Sequence, residues 1–161
     1  MYFRPHHGES PRAWWFVPVL LPSLPFYDLA HQERPPLLRG MARRALSAEE
    51  HTQACELLLA AARYHDCADW LLDARANPQP PPLALQHWLR EEFLPRAAQE
   101  LGRAAHVAFL VPPEVRQALG RLGYPARLAL GPGAGQLGWF TDEAPARAWL
   151  AQPRAPRPGP P

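Results

Sequence analysis

The sequence predicts an α/β domain: a mixed, largely parallel five-stranded sheet covered by helices, in the order β-β-α-β-α-β-α-β-α. Short apolar runs that suit buried strands alternate with longer stretches whose apolar residues recur at helical spacing. Such strand–helix–strand units require parallel pairing and right-handed crossovers. A length of 161 residues suits one domain with tails.

Proline content divides the chain into three parts. Residues 1–22 hold four prolines, which forbid a long helix, and predict an apolar N-terminal arm with no regular element. Residues 23–152 predict the folded domain. Residues 153–161 are so rich in proline that we expect a disordered tail.

The first half of the domain predicts a strand pair, a helix and a central strand. Residues 26–30 and 37–46 have strand composition and a short connection, which favours antiparallel pairing. The run Ser47-Ala48-Glu49-Glu50 is a capping box that opens a helix to about Tyr64. Residues 68–74 form a short apolar run typical of a strand buried on both faces.

The second half begins with a long helix over residues 83–101. Pro95 lies inside it and predicts a kink near Glu91 and Glu92, because proline has no N–H and crowds the preceding turn. Residues 104–111 predict another buried strand.

The last third of the domain predicts a helix, a strand, a loop and a helix. The helix covers residues 114–122 and the last strand covers residues 126–130. The glycine-rich residues 131–138 predict a loose loop. Thr141 is the predicted cap of a final helix over residues 142–150.

Composition excludes several function classes. All of the 17 basic residues are arginine, yet the net charge of +2 and the absence of an arginine run argue against nucleic-acid binding. No stretch of ~20 apolar residues would span a membrane, and residues 13–21 lack the features of a secretory signal, so we expect a cytoplasmic protein. Neither metal-ligand spacing nor a phosphate loop is present, so no cofactor is expected.

Three segments carry a family resemblance: Trp70-Leu71-Leu72-Asp73-Ala74-Arg75, residues 105–111, and Trp139-Phe140-Thr141-Asp142-Glu143 running into residues 146–150. In this order they resemble the bacterial STAS-like group known as SpoIIAA-like, which is related in shape to the CRAL-TRIO lipid carriers. The resemblance covers residues 26–151.

The resemblance implies binding to a protein partner, since its best-known members are anti-sigma-factor antagonists. Those members are switched by phosphorylation of a serine just beyond a central strand. Here Asp73-Ala74-Arg75 occupies that place, and no Ser or Thr follows before Thr141. A phosphoserine switch is therefore excluded at this site, while partner binding remains implied.

Asp73 and Arg75 lie where ligand sites of open α/β sheets gather, at the carboxyl end of a central strand. We interpret them as an ion pair that ties strand to loop, with contact to a ligand or partner as the alternative. His65, followed by Asp66, has the pattern of an oriented general base, but no Ser or Thr nucleophile is near. A helix-terminal histidine is the simpler interpretation.

Aromatic residues supply the remaining candidates. Trp88 with Phe93 and Leu94 on the second long helix, together with Trp70, predicts either an apolar groove or ordinary core. Trp14 and Trp15 in the arm are too apolar to lie in water, and predict packing on the domain or on a partner.

The leading hypothesis is a non-enzymatic STAS-like binding module in a regulatory role, with another protein or a second copy, as a homodimer, as its partner. The alternative is a carrier of a small apolar ligand in a groove beside the second long helix. A weaker alternative is an enzyme that uses His65, Asp73 and Arg75.

Overall fold

A computed structural model describes residues 19–20, 23–131 and 133–153 of the chain. Strands and helices alternate along it. In chain order the elements are β1 (Val19–Leu20), β2 (Tyr27–Glu33), β3 (Pro36–Ala42), α1 (Ala48–His65), β4 (Asp69–Asp73), α2 (Leu83–Trp88), a π-helical segment (Leu89–Phe93), α3 (Leu94–Leu101), β5 (Ala105–Leu110), α4 (Pro113–Arg121), β6 (Arg127–Ala129), β7 (Gly135–Phe140) and α5 (Glu143–Leu150).

The strands form one mixed sheet in the order β1-β2-β3-β4-β5-β7-β6. Strands β3, β4, β5 and β7 pair in parallel, whereas β1, β2 and β6 pair antiparallel at the two sides. The predicted α/β class with a mixed sheet is confirmed. The predicted count of five strands is wrong, because the described residues contain seven.

The largest error concerns the glycine-rich segment before Trp139. Residues 131–138 were expected to form a loose loop, but β7 starts at Gly135 and pairs with β5 from Ala105 onward. Gly135 has a φ of 111°, and a Cβ there would lie 2.0 Å from the backbone oxygen of Ala105. The glycine therefore permits close approach of two backbones. The predicted last strand is β6, which lies at the edge of the sheet.

The N-terminal arm is also partly regular. Val19 and Leu20 pair with His31 and Ala30 of β2, so the prediction of no regular element in residues 1–22 is wrong for these two residues. Residues 1–18, 21–22 and the predicted tail from residue 154 onward lie outside the described residues.

Local helix signals have mixed outcomes. The capping box is confirmed: Ser47 Oγ accepts from the Glu50 N–H at 3.2 Å, and the Ser47 N–H donates to Glu50 Oε1 at 3.0 Å. The predicted cap at Thr141 is wrong, because Asp142 holds the cap position of α5 and no side chain caps its first turn.

The second long helix changes its hydrogen bonding where the kink was expected. Leu89–Phe93 is π-helical, and the Leu94 N–H donates to the Leu89 carbonyl five residues back. Pro95 follows directly and has no N–H to donate to the carbonyl of Glu91. Wider π-type turns of this kind are common at functional sites.

Two apolar cores lie on opposite faces of the sheet, because successive side chains of a strand alternate between faces. Trp70 and Leu72 of β4 pack with α1 and α3, whereas Leu71 between them packs with α5. Within the described ranges, no helix has both the length and the apolar character needed to cross a membrane.

Candidate functional site

A cavity of about 130 Å³ lies between the sheet and the helices on the α1 face. It is lined by residues from β2, β3, β4, β5, β7, α1, α2, the π-helical segment, α3 and α4. It reaches the loop after β4, at the carboxyl ends of the parallel strands, which is the usual ligand position in open α/β sheets. We call it the apolar cavity, and its aromatic walls are Tyr27, Trp70, Phe93, Phe109 and Trp139.

The aromatic walls are held by the surrounding structure. The Trp70 indole N–H donates to the Cys67 carbonyl at 2.9 Å, so its one polar atom is satisfied. Phe109 and Trp139 stack with their ring centres 6.3 Å apart. Trp70, Phe93 and Phe109 therefore present apolar ring surface with no unsatisfied polar group.

The α1 side of the apolar cavity carries His51 and Cys55, one helical turn apart. The Nε2 atom of His51 is buried and has no hydrogen-bond partner among the described residues. Burial lowers the pKa of His51, against a smaller opposing effect of Glu50, so this ring is neutral at pH 7. Burial likewise raises the pKa of Cys55 to about 12, which keeps it a thiol and a poor nucleophile.

The opposite side carries Gln86 of α2 and Arg90 of the π-helical segment. Gln86 Nε2 donates to the Pro81 carbonyl at 2.8 Å. The guanidinium of Arg90 lies 5.1 Å from the ring centre of Tyr124 and donates from Nη2 to the Tyr124 hydroxyl at 3.3 Å. Arg90 Nε donates to the Gln86 carbonyl at 3.4 Å. Among the described residues, no carboxylate forms an ion pair with Arg90.

The predicted ion pair of Asp73 and Arg75 is present. Arg75 donates from Nε to Asp73 Oδ1 at 3.0 Å and from Nη2 to Oδ2 at 2.7 Å, and its backbone N–H donates to Oδ1 at 3.1 Å. Arg39 Nη2 lies 3.5 Å from Oδ2, and Arg39 also pairs with Glu143 of α5. Burial favours a high pKa for Asp73, but the hydrogen bonds and charge of Arg75, with the charge of Arg39, outweigh it and lower the pKa.

This charged cluster of Asp73, Arg75, Arg39 and Glu143 ties β3, β4 and α5 together. Asp73 follows Leu71 by two residues, so its strand position faces α5, and at the strand end the residue also reaches the wall of the apolar cavity. Both carboxylate oxygens of Asp73 already accept hydrogen bonds. The arrangement is that of an ion pair stabilising the strand end.

His65 lies elsewhere. It ends α1, before β4 begins, whereas Asp73 ends β4, so the two are separated by a strand of roughly 13 Å. The His65 ring stacks on His31 with the ring centres 3.9 Å apart. The structure does not bring His65 to Asp73 and Arg75, which removes the geometric basis for an enzyme using these three residues.

Acidification from pH 7.5 to 5.5 is expected to lower the free energy of unfolding through His31 and His51. Burial lowers the pKa of both, and the nearby His65 lowers that of His31 further, against a smaller opposing effect of Glu33. The unfolded chain therefore binds more protons as the pH falls through about 6.5, the ordinary histidine pKa. Stability is highest above that pH and falls as the pH approaches the lowered values.

Urea unfolding at pH 7.5, 6.5 and 5.5 measures the slope of the unfolding free energy against pH. His31→Phe keeps a ring against His65 and removes the titration, so we expect a shallower slope than in the wild type. Equal slopes in the wild type and in His31→Phe would contradict the expectation.

The other predicted site residues have different positions. Trp88 is half-buried and stacks on Phe93 with ring centres 5.3 Å apart, but it does not itself line the apolar cavity. Trp14 and Trp15 lie outside the described residues. Of the predicted groove, Trp70, Phe93 and Leu94 are on the cavity wall.

Sequence reasoning missed His51, Gln86 and Arg90. Gln86 and Arg90 are four residues apart, in line with Leu94, so they share one face of the second long helix. The sequence signal for this site was a charged residue, Arg90, on a helical face that also carries the apolar Leu94.

The described residues thus contain two places where chemistry-bearing side chains gather, the apolar cavity and the charged cluster. Within the same ranges, no group of three His, Cys, Asp or Glu side chains is arranged to hold a metal ion. No protein-family model matches the chain, and no curated protein or solved structure matches it either.

Proposed function

We propose that this domain binds a small, largely apolar molecule in the apolar cavity. The cavity itself carries the proposal, because protein interiors are close-packed and voids larger than a water molecule are few. Its volume of about 130 Å³ is close to that of an engineered apolar cavity of roughly 150 Å³ that takes up benzene. Filling such a space with an apolar molecule restores contacts that the empty walls lack.

Two further observations support the proposal. The cavity lies at the carboxyl ends of the parallel strands and is flanked by π-helical turns, both of which are frequent at binding sites. The resemblance to the STAS-like group and its CRAL-TRIO relatives, whose grooves hold lipid, also favours binding over catalysis. The thiol of Cys55 is unsuited to nucleophilic chemistry at neutral pH.

Binding of toluene and indole, followed by the rise in Tm and by calorimetry, tests the proposal. Ala54 is buried on the cavity wall, so Ala54→Leu should fill the space and abolish binding, with a destabilisation of no more than about 1 to 3 kcal/mol. Ala60→Leu makes the same change on the exposed side of α1 and should retain binding. No binding to the wild type, or equal binding to Ala54→Leu, would contradict the proposal.

Association with a protein is the second candidate function. In the sequence, two residues separate the apolar run Trp14-Trp15-Phe16 from β1, which pairs with the outer side of β2. We propose that this run contacts a protein partner or a second copy of the chain, as a homodimer. Sedimentation of the full chain and of Trp14→Ser/Trp15→Ser tests the homodimer: a dimer that the double substitution dissociates supports it, and a monomeric wild type excludes it.

A further inference from the structure

Arg90 is a cation on the apolar cavity wall whose described partners are all neutral. It is half-buried and its donors reach only the Gln86 carbonyl and the Tyr124 hydroxyl. Partial removal of a charge from water is costly unless an opposite charge compensates it. The one carboxylate on the described cavity wall, Asp73, already pairs with Arg75 and Arg39. The cavity thus has an uncompensated positive charge.

The guanidinium of Arg90 is held with donors to spare. A guanidinium has five N–H groups, and one on Nε and one on Nη2 are used by Gln86 and Tyr124. Stacking on the Tyr124 ring fixes its plane. The remaining N–H groups form the fork that pairs with the two oxygens of a carboxylate.

We infer that the molecule bound in the apolar cavity is a small monocarboxylic acid whose carboxylate pairs with Arg90. This inference rests on the proposed function. Arg90 is the only arginine on the described cavity wall, Asp73 there is compensated by Arg75 and Arg39, and burial keeps His51 neutral, so a single negative charge is matched. The apolar part of the acid lies among Trp70, Phe93 and Phe109, where about 130 Å³ accommodates one phenyl ring or a branched alkyl group.

Calorimetry with four probes of equal shape tests the inference: 3-phenylpropionate, 3-phenylpropionamide, 3-phenylpropanol and 3-phenylpropylamine. We expect the wild type to bind the carboxylate about 10- to 100-fold more tightly than the amide or alcohol, the range for a charge-assisted hydrogen bond. The amine should bind weakest. Arg90→Met retains the aliphatic stem and should reduce the preference to less than about 3-fold while binding of the alcohol persists.

Arg121→Met, on the exposed end of α4, is the matched control and should keep the full preference. Binding of the alcohol without preference for the carboxylate overturns the inference but leaves the proposed function intact. A preference that survives Arg90→Met overturns the assignment to Arg90. Failure of all four probes, with toluene and indole also failing, overturns both proposals. The Tm of each variant confirms that it is folded.

Discussion

Replacement of Gly135 with alanine is expected to lower the free energy of unfolding by about 3 to 5 kcal/mol. The backbone at Gly135 has a φ of 111°, which L side chains rarely adopt. The new Cβ would also lie 2.0 Å from the Ala105 oxygen, which belongs to the backbone of β5 and cannot rotate away. Relief requires separating β7 from β5, and this pairing lies inside the sheet.

Substitutions of two other glycines, measured by urea unfolding, separate the cost of the positive φ from the cost of the clash with Ala105. Gly123 has a φ of 88° with open space around it, so Gly123→Ala should cost only the backbone strain, about 1 to 2 kcal/mol. Gly131 also has open space, and Gly131→Ala should change stability by less than about 0.5 kcal/mol. If Gly135→Ala cost no more than Gly123→Ala, β7 would not pack against β5 as described.

The glycines of β7 explain why this strand was missed. Glycine is the commonest signal for a turn, and residues 131–138 contain four glycines and one proline. At Gly135 the same residue is required because another backbone approaches closely. The sequence of one chain does not distinguish these two uses of glycine, since the deciding neighbour, Ala105, lies far away along the chain.

Elements with strong local signals were predicted well. The capping box of Ser47 and Glu50 is formed within four consecutive residues. The π-helical segment ahead of Pro95 follows from the missing N–H of proline. The cap at Thr141 failed, although its pattern is similar, because Asp142 and not Thr141 precedes the first helical residue. A shift of one residue decides which side chain can cap.

The candidate sites also differ in whether they depend on residues close together in the sequence or on residues far apart. Asp73 and Arg75 are two residues apart, so their pairing could be predicted from local geometry. The apolar cavity is built from strands and helices spread over most of the domain, and its volume depends on how they pack. Arg90 received no weight in the sequence because all basic residues are arginine, so its type alone carried little information.

Asp73→Asn is expected to lower the free energy of unfolding at pH 7 by about 2 to 3 kcal/mol. The substitution removes the charge that compensates Arg75 and Arg39, and it turns an amide N–H₂ group toward guanidinium donors. The loss stays below that for a fully buried pair, because the Arg75 and Arg39 side chains are 44% and 27% exposed and are partly solvated.

The pH dependence identifies the charge as the cause. Because the Asp73 pKa is lowered on folding, its stabilisation is present above the ordinary value of 3.8 and is lost as the pH falls through the lowered one. The difference between wild type and Asp73→Asn in urea should therefore shrink below about pH 4. Asp28→Asn is the matched control, since Asp28 accepts from two nitrogens of Arg43 on the exposed surface and should cost much less.

Binding measurements then separate the two interpretations of Asp73. If Asp73 only stabilises the strand end, Asp73→Asn lowers Tm but leaves the preference for 3-phenylpropionate unchanged, because both carboxylate oxygens are already engaged by Arg75. If Asp73 also contacts the bound molecule, the substitution removes a negative charge beside it and tightens carboxylate binding, in addition to lowering Tm. The geometry favours the first result, because Asp73 reaches the cavity wall but both of its carboxylate oxygens are already held by Arg75.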